Sequence, residues 1–274
     1  MAIHDADADP AGLLGSDSIR TGYVRGLSGV DGFNFREVTY AVVGGQAVFE
    51  GCILLGPVAE MEKLKAEVED NGGVDLLNQV EPLGIIVLPR NRWPKGIVPY
   101  RIDDALADKD RVHDAIAHWT HHTDILFTER TDETDFVSFV PGAGCAAHVG
   151  RIGGEQIVQL GPNCTTGNTI HEIGHAIGLW HEQCRSDRDC HITVHLENVI
   201  ANMEHNFEQH IHDGEDMGAY DTASIMHYGT HFFSKNGEPT ITTRNGDPIG
   251  QRDGLSDGDI ATIAEAYASE YAKR

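Results

Sequence analysis

The sequence has no apolar run that approaches membrane-spanning length. It is also poor in cations. Twenty Lys and Arg against 43 Asp and Glu give a formal net charge of −23, which argues against nucleic acid and anionic membrane surfaces as partners. Residues Met1 to Pro10 are acidic and lack an apolar stretch, so they do not read as a signal peptide; either export uses another route or a signal has been removed. There are no internal repeats, and no low-complexity tract beyond the acidic start. Cysteine is scarce and odd in number: Cys52, Cys145, Cys164, Cys184 and Cys190. Two pairs with one left over would imply an oxidising compartment, whereas five reduced thiols would suit a cytosolic chain.

At 274 residues and 40% hydrophobic content, the chain can bury a sizeable core in two structural parts. Residues 1–35 show little periodicity and read as a loosely ordered lead-in. Val38, Tyr40 and Val42, then Gly44-Gly45, then Ala47 to Phe49 read as a hairpin. Pro57 opens a helix that Asn71-Gly72-Gly73 ends, and 72–90 reads as a connecting segment. A second unit follows. It has a helix over Asp108–His121 and strands near Ile125–Arg130, Phe136–Val140 and Gln156–Leu160, with a glycine-rich rim strand from Cys145. Thr166 or Thr169 can cap the next helix. Leu196, Val199, Ile200, Met203 and Phe207 mark another, and Ser256 or Asp257 caps the last.

The chemistry lies in His171-Glu-Ile-Gly-His175-Ala-Ile-Gly178-Leu-Trp-His181-Glu182. Histidines four apart share one helix face, so His171 and His175 can grip one ion. Gly178 allows the helix to end and the chain to bend, bringing His181 back as a third ligand. Three neutral imidazoles leave one zinc position open for water, as catalytic sites require. A structural zinc would fill that position with a protein ligand, commonly cysteine; here the neighbouring residue is Glu172, placed as a general base. A non-catalytic zinc-binding protein is the rival class, and it would have little need of Glu172. His113, His118, His121 and His122, with His205, His210 and His212, read as solvent-facing.

Downstream, Ser224-Ile225-Met226-His227-Tyr228 has the form of a methionine turn. Together with His171 to Glu182 it resembles the astacin family of zinc endopeptidases, a branch of the metzincins. Glu182, directly after the third histidine, separates this resemblance from other metzincin subclasses. Trp93 to Tyr100, Arg185-x-Asp187-Arg188-Asp189 and Ser256 to Tyr267 extend the resemblance over roughly residues 84–268.

That resemblance implies an α+β fold: an upper subdomain of sheet and helices, a loop-rich lower subdomain and a zinc cleft between them. Residues 1–83 would be an inhibitory propeptide and 84–274 the catalytic domain. His171, His175 and His181 would hold one zinc ion, and Glu172 would deprotonate the attacking water. Tyr228 would be a switchable fifth ligand that hydrogen-bonds the oxyanion, and Met226 an apolar floor. Glu182 would pair with a newly made N-terminus near Gly84. Cys145–Cys164 would be a disulfide framing the rim strand. Cys184 and Cys190 are extra to the family pattern and could form a small local disulfide. The family's other disulfide is lost, since Asp124 stands at its first position. Propeptides of the family resemble Phe-x-Gly-Asp; here Phe49-Glu50-Gly51 leads to Cys52, whose thiolate is the stronger zinc ligand. Cys52 is therefore expected to cap the zinc of a latent, secreted endopeptidase. Its partners would be protein or peptide substrates and its own propeptide, with no nucleic acid and no membrane span.

Overall fold

Alternating apolar residues near the N-terminus build strands that join, rather than merely precede, the sheet of the larger unit. The computed structural model describes residues 12–25, 35–70, 84–85, 89–209 and 214–274. Strands β1 (Ile19–Arg25), β2 (Phe35–Val43), β3 (Gln46–Phe49) and β4 (Ile53–Pro57) form an antiparallel meander. Gly44 and Gly45, both at positive φ, make the tight turn between β2 and β3. Helix α1 (Val58–Asp70) buries Val58, Met61 and Val68, and an apolar cluster gathers Val38, Tyr40, Phe49, Ile53 and Met61.

The loosely ordered lead-in is thus corrected, because β1 forms within it. Its alternation is broken by Gly22, where a Cβ would meet the Tyr40 ring at 3.1 Å and the Met61 methyl at 3.3 Å. Residues 1–11 and 26–34 lie outside the described residues, as do the expected helix end at 71–73, most of the connecting segment and the near side of the 83/84 boundary. Past that boundary, β5 (Gly84–Ile85) pairs in parallel with the later β12 (Gly214–Glu215).

The larger unit begins with β6 (Ile97–Ile102), α2 (Asp110–His122), β7 (Leu126–Glu129), β8 (Phe136–Pro141), β9 (Cys145–Ala147), β10 (Glu155–Leu160) and α3 (Thr166–Ile177). These five strands join the meander in one nine-stranded sheet of order β1-β2-β3-β4-β9-β10-β8-β6-β7. Strand β9 pairs antiparallel with β10 on one side and parallel with β4 on the other, where Ile53 faces Ala147. Without β4, the rim strand β9 would be an exposed edge. The core between sheet and helices centres on Trp93, Trp119, Phe139, Ile173 and Tyr267. The indole N–H of Trp93 donates to Ala176 O (2.9 Å) and that of Trp119 to Ile170 O (3.0 Å), so neither fully buried ring leaves a polar atom unmet. Truncating either to Ala would cost about 3–5 kcal/mol.

The lower part is loop-rich: β11 (Ile192–Val194) pairs with β13 (Ile241–Thr243), and α4 (Asp257–Tyr271) closes the chain. The helix expected over Leu196–Phe207 is not there. Two short 3₁₀ turns, Leu196–Asn198 and Glu204–Phe207, replace it. Asn202 between them sits at φ +70°, outside the helical region, and Val199 bridges to Ser234 instead. The Arg274 guanidinium reaches the carbonyl oxygens of Asp124 and Lys95 and ties the end of α4 to the upper part. Among the described residues no helix is long and apolar enough to cross a membrane.

Candidate metal centre

Helix α3 carries the first two histidines, and its ends are fixed by local chemistry. Thr165 is the N-cap, in a reciprocal capping box with Asn168. This corrects the expected caps, since Thr166 is already helical and Thr169 turns its hydroxyl back to Thr165 O (2.9 Å). At the other end Gly178 adopts φ +119° and donates to Gly174 O and His175 O, so the chain reverses and returns His181 to the helix face. Gly174 makes room for the floor of the site: a Cβ there would lie 2.7 Å from Met226 Sδ. Asp259, in the first turn of α4, accepts from Ser224 Oγ (2.6 Å) and Ile225 N (3.0 Å) and pins this methionine turn.

The three imidazoles and the Cys52 thiol converge, all four residues buried. Cys52 Sγ lies 3.6 Å from His171 Nε2, 3.4 Å from His175 Nε2 and 3.2 Å from His181 Nε2, and the last two nitrogens are 3.2 Å apart. A tetrahedral zinc with ordinary bond lengths would separate two nitrogen ligands by about 3.3 Å, and nitrogen from sulfur by about 3.6 Å. The residues therefore fit the ion. Each outer ring nitrogen faces an acceptor: His171 Nδ1–H donates to Ile225 O (2.8 Å), His175 Nδ1–H to Leu179 O (2.7 Å) and His181 Nδ1–H to Glu50 Oε2 (2.8 Å). These bonds turn all three Nε2 lone pairs inward. Burial holds His171 and His175 well below the usual histidine range, and pushes the Cys52 thiol well up. A dication supplies the charge that would favour the thiolate here.

Around this cluster stand the groups that could do chemistry. Glu172 is buried, and its Oε2 has no hydrogen-bond partner among the described residues. Burial raises its carboxyl well above the ordinary range, against the lowering pull of Arg252. An unmet carboxylate oxygen in a well-packed interior is costly unless kept for a reaction. The Tyr228 ring packs 4.7 Å from the His181 ring, but its hydroxyl donates to Glu50 O (2.7 Å). In this form that hydroxyl is therefore engaged by the Glu50 carbonyl. Two further residues beside the cluster carry no signal in the sequence. Glu50 is one. Arg252 is the other; its Nη1 donates to Ile225 O (2.9 Å) and His227 O (3.2 Å), sharing the carbonyl that orients His171. Only the fold brings either beside the motif.

Glu182 is buried in a pocket with Arg185, Asp221, Ser224 and Asp259. Its Oε1 accepts from Asp221 N (2.8 Å) and lies 3.7 Å from Arg185 Nη1; burial pushes its carboxyl up to about 8, against the pull of Arg185. The Cys145–Cys164 disulfide is formed. The Cys184–Cys190 bond is not: both sulfurs are free, Cys184 buried at the end of the 3₁₀ turn Glu182–Cys184 and Cys190 exposed at the end of Arg188–Cys190. Of the histidines expected to face solvent, one is buried and one is partly covered and bonded. His205 is buried, and His118 Nε2 accepts from Leu255 N (3.0 Å). His210 and His212 lie outside the described residues.

Comparison with known proteins places this geometry. The family model described as Astacin, a peptidase family, matches residues 86–268. Protein SpAN of Strongylocentrotus purpuratus is 41% identical over 191 residues, 64% of this chain and 31% of that protein. Bone morphogenetic protein 1 of Xenopus laevis is 40% identical over 192 residues, 65% of this chain and 27% of that protein. Zinc metalloproteinase nas-15 of Caenorhabditis elegans is 37% identical over 209 residues, 74% and 37% respectively. The chain thus spans 27 to 37% of these curated relatives' lengths. Among solved structures, high choriolytic enzyme 1, a hatching-enzyme zinc-protease of Oryzias latipes, aligns with a TM-score of 0.60 at 36% identity, covering 65% of this chain and 92% of that one.

Proposed function

The chain belongs to the astacin family, and from that premise we propose that it is a zinc-dependent endopeptidase held latent by its own N-terminal unit. One observation carries the reading: three inward-facing Nε2 atoms and the Cys52 sulfur converge at zinc-ligand separations, beside a buried carboxylate whose Oε2 has no partner among the described residues. Bound zinc would supply a Lewis acid that polarises a scissile carbonyl and makes water acidic near neutral pH. This chain's residues would do the rest. Glu172 takes the proton of the attacking water and hands it to the leaving amine. The Tyr228 hydroxyl, once free of Glu50, donates to the oxyanion. The free edge of β9 offers the N–H groups of Cys145 and Ala147 to an extended peptide substrate.

In the latent chain those functions are covered. Cys52 takes the fourth ligand position and Tyr228 is held by Glu50 O. The N–H groups of Ala147 and Cys145 donate to Cys52 O (2.9 Å) and Gly12 O (3.0 Å). Residues 1–83 act as the prosegment and 84–274 as the peptidase. Release would follow cleavage between them, and Glu182 would then pair with the new N-terminus near Gly84, in a pocket that already gathers several buried polar groups. The formed disulfide supports an oxidising, extracellular setting.

The test is hydrolysis of an unfolded protein by the zinc-loaded chain before and after removal of residues 1–83. The reading requires activity only after removal, and a loss of about 10²–10⁴-fold in Glu172→Gln. Full activity in that variant would refute the mechanism.

A further inference from the structure

The three ligand histidines are not held alike. His171 and His175 donate their outer N–H to backbone carbonyls of the larger unit, Ile225 O and Leu179 O. His181 donates to a carboxylate, and that carboxylate belongs to the N-terminal unit. Glu50 and His181 are both fully buried, 2.8 Å apart and 131 residues apart in sequence.

Local backbone aims Glu50 at this task. Glu50 adopts φ +45° and Gly51 φ +66°, two successive left-handed residues. That conformation is costly for glutamate and persists only where its surroundings require it. At Gly51 a Cβ would meet the Phe233 ring at 2.7 Å, so glycine is needed for space as well. The turn sends three groups into one site. The Glu50 carboxylate meets His181, the Glu50 carbonyl accepts from Tyr228 Oη (2.7 Å) and from Cys52 N (2.8 Å), and the Cys52 sulfur meets the three imidazoles.

We propose that Glu50 is the outer carboxylate of a carboxylate–histidine–metal triad, acting through His181, so that the N-terminal unit strengthens zinc binding from behind a ligand as well as from in front. The proposal rests on the latent reading of Cys52 given above. Glu50 is a positioning residue: it fixes the His181 ring and makes its inner nitrogen a better donor. It leaves with the prosegment, so the processed peptidase holds zinc without it.

The experiment measures zinc affinity of the full-length chain by competition with a chromophoric chelator, for wild type, Glu50→Gln and Glu50→Ala. Loss of such an outer partner weakens metal binding by roughly 10–100-fold, and that loss is expected in both variants. Glu50→Gln is nearly isosteric and keeps an oxygen acceptor, so it remains readable should Glu50→Ala fold poorly. Melting of the metal-free chain separates the role from a merely structural one. The proposal requires the zinc affinity of Glu50→Gln to fall while its metal-free melting stays close to wild type. Unchanged zinc affinity in Glu50→Gln overturns it, whatever happens to melting. The cobalt-substituted wild type reports separately on Cys52. A thiolate-to-cobalt charge-transfer band supports that ligand, and its absence refutes the Cys52 reading while leaving the Glu50 comparison intact.

Discussion

The backbone N–H of Ala147 donates to the carbonyl oxygen of Cys52 at 2.9 Å. The residue whose sulfur enters the histidine cluster is therefore also the residue that pairs with the rim strand, so in the proposed latent form one residue would block metal and cleft together. Cys52→Ala removes the sulfur and keeps the backbone bond. The intact variant should gain slow peptidase activity and process itself, while Cys52→Ala combined with Glu172→Gln should not. Electrophoresis of the purified zinc-loaded chains over time checks this; a Cys52→Ala chain as inert as wild type would count against the thiol as the block.

Tyr228 is fully buried, with its hydroxyl on Glu50 O. With that hydroxyl proposed as the oxyanion donor of the processed enzyme, Tyr228→Phe should lower kcat by about 10²–10³-fold with little change in KM, the loss of one such donor. Steady-state kinetics on a peptide substrate decide it; an unchanged kcat would remove Tyr228 from the mechanism.

His148 follows the rim strand and hydrogen-bonds the Leu54 backbone of β4. Burial lowers it from 6.5 to about 4. A histidine depressed in the closed state contributes stability that is present above 6.5 and lost as pH falls toward 4. Acid should therefore loosen the N-terminal unit, by up to about tenfold per pH unit in that window. Hydrogen exchange of residues 53–57 in the metal-free chain measures it. His148→Gln should flatten the pH dependence, and an equally steep variant would contradict this assignment.

Glu182 shows the opposite sign. Its carboxyl rises from 4.5 to about 8, chiefly by burial. A raised acid contributes stability that is full below 4.5 and lost as pH rises through 8. Thermal melting of the unprocessed chain should fall across this range, by at most about 1.4 kcal/mol per pH unit from this group. Glu182→Gln should melt with a shallower pH slope and sit above wild type at pH 8. Parallel melting curves would refute the shift.

The convergence of the three histidines is legible because its logic is local. His171 and His175 need only a helical turn, and His181 needs only the bend that Gly178 allows at φ +119°. Glu172, Met226 and the Cys145–Cys164 bond follow from the same family pattern. What was hidden depends on distant backbone. Nothing in the stretch around Glu50 shows that its turn faces Tyr228, and Arg252 reaches Ile225 O only once α4 has docked. β1 was missed because Gly22 interrupts its alternation to accommodate Tyr40 and Met61. The helix expected over Leu196–Phe207 had helical spacing, yet Asn202 and the Val199–Ser234 bridge break it. Cys184 and Cys190 were close in sequence, but two 3₁₀ turns separate a buried residue from an exposed one.

The central claim is that Cys52 is the fourth zinc ligand of the intact chain. X-ray absorption at the zinc edge of the zinc-loaded full-length protein tests it most directly. The account predicts one sulfur at about 2.3 Å and three nitrogens at about 2.0–2.1 Å, with the sulfur lost in Cys52→Ala. A shell of nitrogen and oxygen alone in the wild-type chain would contradict it.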